Sequence, residues 1–264
     1  MNPCFYLVTF RRDLLMAVWA VRSLILNMRG DWDLTVGVPD SDLALATALF
    51  GREREILGGR MRIFSFEEPA GKGFNTHQKI ECRADLEAPG FSHYIHVDSD
   101  CLLRKPLDVS IFFENGRGIW YYDYYAEIMS QNANLKCWQH AVKLATGLNP
   151  RKEYMRCFPI VIPHDTYAAT RGMVERHTKQ DFGEYVINCE NAYPQTFAEY
   201  NTLGFCANVK NHPIAWKRFV RETPAWGKGT FAQFWTHGGP DFVMPDGPSA
   251  GLSARGVAKE LGIE

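Results

Sequence analysis

The chain has no run approaching the ~20 consecutive apolar residues that a helix needs to cross a bilayer, and its first residues lack the basic-then-apolar layout of a signal peptide. Its seven cysteines (Cys4, Cys82, Cys101, Cys137, Cys157, Cys189, Cys206) stand singly, with no Cys-x-x-Cys pair and an odd total, which argues against both a zinc cage and a disulfide framework. A formal net charge of −1 carries no global nucleic-acid footprint. Thr9-Phe10-Arg11-Arg12-Asp13, after the first strand-like run, contains no glycine, so the Gly-rich phosphate turn of a nucleotidyltransferase is missing. Internal repeats and low-complexity blocks are absent too. A reducing cytoplasm is the expected setting, with any membrane contact peripheral, at the inner membrane face.

What is present is a core. In 264 residues, 46% hydrophobic and 13% aromatic content suffices for one large domain or a core with a smaller appendage. Strand and helix signals alternate: Phe5–Phe10, Leu14–Leu26, Leu34–Val38, Leu43–Leu57, Met61–Phe66, about Thr76–Leu86, then Tyr94–Val97. That alternation predicts an α/β fold, a mostly parallel sheet with helical crossovers. Further on, the pattern predicts strands at Gly118–Tyr124 and Cys157–Ile162 and a helix at Leu135–Thr146. From Pro224 the chain is rich in Gly, Pro and aromatics without periodicity, which reads as a less regular lid, and 245–264 reads as a surface tail. The expected division is 1–110, 111–244 and 245–264. In an open α/β sheet the ligand lies beyond the carboxyl ends of the strands, where Thr9, Arg11, Asp40, Asp98 and Asp100 fall.

Three Asp-x-Asp triplets occur. Asp31-Trp32-Asp33 follows Gly30 and reads as a turn; Asp40-Ser41-Asp42 opens an apolar helical pattern and reads as an N-cap. Only Asp98-Ser99-Asp100 ends a strand-like run and is not followed by a helical pattern. Residues two apart on an extended backbone share a face. The Asp98 and Asp100 carboxylates are therefore expected to converge on one hard cation, Mn²⁺ or Mg²⁺, whose other positions go to water and substrate phosphates. The plain alternative is an ornamental strand end, since so short a triplet also arises by chance.

A strand-ending Asp-x-Asp about a hundred residues into an α/β chain resembles the nucleotide-sugar glycosyltransferases of the GT-A fold, which is Rossmann-like. Gln78-Lys79, the run from Tyr94 to Pro106, and Ala198-Glu199-Tyr200-Asn201-Thr202-Leu203-Gly204 together resemble a group of bacterial and phage glycosyltransferases over most of residues 5–210. The resemblance implies a nucleotide-sugar donor, a UDP-sugar above all, and a divalent cation bridging its diphosphate. One sugar would pass to a hydroxyl of a glycan, a glycolipid or, in a phage-encoded enzyme, a hydroxymethylated DNA base.

Within that reading Asp100 is the direct metal ligand, while Asp98 reaches the ribose or a metal-bound water. His237, between Thr236 and Gly238, is the candidate third ligand or a surface-loop histidine; His212 is a rival, and His96 reads as a core residue. Thr9, Arg11, Asp40, Lys79 and Lys228 are candidate donor contacts. Glu199 is the candidate catalytic carboxylate, with Asp181 and Glu184 as rivals; equally, Glu199 could cap its own helix. Lys210 to Lys228 alternates cations with Trp216, Phe219 and Trp226, a composition that suits polyanions or a solvated face. Two other functions stay open: a haloacid-dehalogenase-like phosphohydrolase using Asp98 as nucleophile and Asp100 as acid, and a nucleotide-sugar-binding protein without catalysis.

Overall fold

The computed structural model describes residues 1–129, 135–190, 197–221, 224, 230–234, 240–241, 244 and 251–264. In chain order the elements begin with β1 (Pro3–Val8), α1 (Leu14–Asn27), β2 (Met28–Arg29), β3 (Asp33–Pro39), α2 (Leu43–Leu49), α3 (Gly51–Leu57), β4 (Met61–Phe66), α4 (Gly73–Glu81) and α5 (Ala84–Glu87). There follow β5 (His93–His96), β6 (Cys101–Leu103), β7 (Leu107–Asp108), β8 (Phe113–Glu114), β9 (Arg117–Tyr124), α6 (Tyr125–Ile128), α7 (Leu135–Thr146), β10 (Lys152–Glu153) and β11 (Ile160–Pro163). The chain ends with α8 (Asp165–Thr178), α9 (Phe182–Asn188), α10 (Glu199–Val209), β12 (Ile214–Arg218), β13 (Phe231–Gln233) and α11 (Ala254–Glu260). The fold is α/β, with a mostly parallel central sheet flanked by helices.

Two compact units form, each from separated segments. An N-terminal unit takes Asn2–Glu67, Ile95–Phe113 and Pro224–Glu264; a central unit takes Glu68–Tyr94 and Glu114–Thr223. In the N-terminal unit β1 pairs parallel with β3 (Cys4↔Asp33 to Val8↔Gly37) and β3 with β4 (Leu34↔Met61 to Pro39↔Phe66). Val97 N–H donates to the Tyr6 carbonyl at 3.1 Å, which sets the end of β5 beside β1. All six residues of β1 are buried, as expected of a parallel strand covered on both faces. A hydrophobic cluster joins Met16 and Trp19 of α1 to Leu102, Ala232, Phe234, Met244, Val257 and Ile263. Ser23 Oγ accepts from Leu103 N–H at 2.9 Å and Asn27 Nδ2 donates to the Leu103 carbonyl at 2.8 Å, so α1 side chains satisfy backbone groups of β6.

In the central unit β9 pairs parallel with β12 and antiparallel with β10. Helix α10 packs against α7 and α8, and Glu199 to Ala207 are all buried, so this helix is a core element and not an amphipathic cover. Gly204 is required there: a Cβ would stand 2.4 Å from Tyr154 Cγ.

Several expectations are corrected. The helix expected over Leu43–Leu57 is two, α2 and α3, broken at the buried Phe50 before Gly51. The expected helix near 76–86 is likewise α4 followed by α5. Asp40-Ser41-Asp42 provides no side-chain cap; Asp42 is buried, with Arg11 Nη1 at 3.8 Å. Asp33 opens β3 and Trp32 is buried, so that triplet is not a solvated turn. The surface tail is not one in its described part: Ala254, Val257, Ala258 and Ile263 enter the core, and Ser253 caps α11 by accepting from Gly256 N–H at 3.1 Å. Apolar positions too sparse to show periodicity can still supply one buried face.

Candidate functional site

β5 ends at His96, and beyond it the chain turns instead of running on extended. Cys101 N–H donates to the Asp98 carbonyl at 3.0 Å, closing a turn over Asp98-Ser99-Asp100-Cys101. The shared-face argument from strand alternation therefore does not apply, and the two carboxylates have different surroundings. Asp98 is half-buried and accepts from Gln233 Nε2 at 3.3 Å. Asp100 is 7% exposed, with Cys101 Sγ 3.7 Å from its Oδ1. Burial, and then the charge of Asp13, push the Asp100 carboxyl up to about 7; hydrogen bonds from Cys101 and Gln233 offset only part of this, and no cation of the described residues is among the largest causes.

The surrounding frame comes from both ends of the chain. β13 pairs antiparallel with β6 (Gln233↔Cys101), and Phe234 N–H donates to the Asp100 carbonyl at 3.0 Å, which carries Gln233 to Asp98. Asp13, half-buried just before α1, brings a third carboxylate. Neither Asp13 nor Gln233 was picked out by the sequence reading. Asp13 carried a usable signal, its place in the loop after β1; Gln233 carried none, because its role depends on a strand pairing.

A hard divalent cation fits this donor set. The oxygens are carboxylate oxygens, one carboxylate is buried with no counter-charge among the described residues, and leaving a buried carboxylate unanswered costs several kcal/mol. No three His, Cys, Asp or Glu gather as a metal cage among the described residues. Mg²⁺ needs none, since it is commonly held by one or two carboxylates together with waters and substrate phosphates.

The other expected contacts in this unit are spread out. Thr9 is buried after β1, its N–H donating to the Gly37 carbonyl at 2.9 Å, and its Oγ1 has no hydrogen-bond partner among the described residues. Arg11 and Asp40 are exposed. His96 is fully buried, its ring 5.3 Å from that of Tyr6, as a core residue should be. His237 and Lys228 lie outside the described residues.

Glu199 belongs to the central unit and opens α10. It is 8% exposed, and its Oε2 accepts from Gln78 Nε2 at 2.7 Å; the same amide donates to the Phe197 carbonyl at 2.6 Å. Burial raises its pKa, the charge of His77 on α4 opposes this, and Glu81 adds to it. Helix α4 thus presents a polar buried face: Asn75 donates to the carbonyls of Ile187 and Cys189 at the end of α9, while His77 Nε2 lies 3.5 Å from Glu81 Oε1. Gln78, the hydrogen-bond partner of Glu199, is a residue that the sequence suggested only by resemblance. Lys79 is half-exposed, and its Cδ would lie 3.5 Å from a Cβ placed on Gly183 of α9. Asp181 is exposed and caps α9, accepting from Glu184 N–H at 3.0 Å; Glu184 is exposed as well. His212, half-buried with Nδ1 3.4 Å from Thr166 Oγ1, lines a recess with His93 and His164 in this same unit.

Several other buried carboxylates are matched by cations. Arg171 meets both oxygens of Asp85 at 2.6 and 2.7 Å, and Arg156 lies 2.9 Å from Asp123 and 3.4 Å from Glu153. In the basic and aromatic segment, Lys217 pairs with Glu114 at 3.0 Å, and Arg218 pairs with Glu127 and lies 3.6 Å from Asp123. No helix among the described residues is long and apolar enough to cross a membrane. No protein-family model and no curated protein matches this sequence.

Proposed function

We propose that the chain is a metal-dependent glycosyltransferase of the GT-A type, moving a sugar from a UDP-sugar to a hydroxyl of a glycan, a glycolipid or a modified nucleobase. The observation that carries this reading is Asp100, a carboxylate buried with no counter-charge among the described residues, beside the half-buried Asp98, where β5 of a mostly parallel sheet gives out. That is the end of an α/β sheet at which ligands bind. When bound, Mn²⁺ or Mg²⁺ would supply Lewis-acid stabilisation of the negative charge on the departing diphosphate. Asp100 and Asp98 would hold it, with Gln233 orienting Asp98.

In the transfer, the bond from the anomeric carbon to the diphosphate oxygen breaks, a bond to the acceptor oxygen forms, and the acceptor's proton leaves. Glu199 is the proposed base. Its raised pKa supports the role, because a carboxylate that holds a proton more tightly is a stronger base near neutral pH. Asp181 is the weaker choice, since its oxygen already caps α9.

Calorimetric titration with UDP tests the donor site. Wild-type protein is expected to bind UDP only with Mn²⁺ or Mg²⁺ present, and Asp100→Ala to lose that binding. Metal-independent binding, or equal binding by Asp100→Ala, would remove the assignment.

A further inference from the structure

On one face of β9 and β12 lie Trp120, Tyr122, Tyr124 and Trp216, with the Trp120 and Trp216 rings stacked 5.7 Å apart and Tyr154, just after β10, 5.5 Å from the Trp216 ring. Lys152 stands among them. Its Nζ is 4.3 Å from the Tyr122 ring centre and 2.9 Å from Asn208 Oδ1. Lys217, Arg218 and Arg156 of this unit are answered by carboxylates. Lys152 and the exposed Arg151 have no carboxylate partner among the described residues; Lys152 meets a neutral amide and ring faces. Beside them opens a recess of about 380 Å³ lined by Tyr124, Asn149, Arg151, Lys152, Phe205 and Asn208, within the size range of small-ligand clefts.

We propose that this recess binds the anionic group, phosphate or carboxylate, of a saccharide. Two cations without carboxylate partners disfavour a cationic ligand and provide charge-assisted donors for anionic oxygens. Asn149 and Asn208 can bond hydroxyls, and the ring carbons of Tyr124 and Phe205 match the C–H faces of a sugar. Half-burial strengthens the Lys152 contribution, because its ammonium has already given up part of its hydration and is less screened than a surface lysine. The anion rests on this unit alone; the saccharide, as acceptor, rests on the transferase reading.

The test is calorimetric titration of protein free of metal and UDP, with inorganic phosphate, glucose 6-phosphate, glucuronate and glucose. One of the two anionic sugars is expected to bind at least tenfold more tightly than glucose and than inorganic phosphate, and to lose at least tenfold in affinity in Lys152→Gln and in the exposed-site variant Arg151→Gln. Glucose 6-phosphate against glucuronate decides between phosphate and carboxylate. Inorganic phosphate binding as tightly as the sugar phosphate would overturn the saccharide. Absence of binding by every anion, glucose binding as tightly as both anionic sugars, or unchanged affinity in both variants would overturn the site. Asp100→Ala should keep this binding, so a failed donor site and a failed recess give different results.

Discussion

In the central unit Asp85 is buried with both oxygens held by Arg171, while in the N-terminal unit Asp100 is buried to the same degree with a thiol and an amide for company. The difference is not one between units as such, because Glu53 in the N-terminal unit is fully buried against Arg22 at 2.7 Å. Burial of a carboxylate is thus ordinary in this protein when a guanidinium comes with it. A buried carboxylate whose fold supplies no cation marks a place where a cation or proton must come from outside, and burial alone does not.

The contrast can be broken most sharply at the paired site. Arg171→Met should cost about 3–5 kcal/mol of stability in urea denaturation, because Asp85 is left charged and buried, and Asp85→Asn added to it should recover most of the loss. A cost near zero would erase the distinction between the two carboxylates. Next in size is Glu199→Gln, which keeps shape and removes charge: sugar transfer should fall about a hundredfold with UDP affinity unchanged. Transfer near the wild-type rate would move the base elsewhere, to Asp181 or Glu184.

Smaller is the effect of Asp100→Asn on the metal-free protein. It removes a charge that no cation among the described residues answers, so stability should stay within about 1 kcal/mol of wild type or rise, while metal-dependent UDP binding disappears. A large loss of stability would make Asp100 structural after all. The smallest effect is a pH dependence at Glu199, whose pKa burial raises above the ordinary 4.5. Below about pH 4.5 the carboxyl is protonated in folded and unfolded chains alike. As pH rises the unfolded chain ionises first, so wild type should lose stability relative to Glu199→Gln until pH passes the folded value. Thermal denaturation of both proteins from pH 4 to 8 reads this gap, and a gap that closes with rising pH would show the shift to have the opposite sign.

The alternation of strand and helix over the first hundred residues was legible because β1, β3 and β4 are short apolar runs separated by helical periods, and such local patterns need no partner to be read. The carboxylate pair was legible for the same reason, as a polar interruption after an apolar run. Its geometry was not. Strand alternation predicted a shared face, whereas the Cys101-to-Asp98 hydrogen bond bends the chain between the two side chains. The break at Phe50 and the docking of α11 escaped as well, since both depend on which distant residues have to be covered.

The sequence by itself determined the α/β class and the strand that Asp98 and Asp100 follow, because backbone propensity and hydrophobic period act over a few residues. Tertiary structure alone decided which carboxylates are answered: Asp85 by Arg171 86 residues away, Glu53 by Arg22 31 residues away, and Asp100 by no cation among the described residues. Electrostatic pairing depends on distance in space and on burial, and neither is written in the order of residues along the chain.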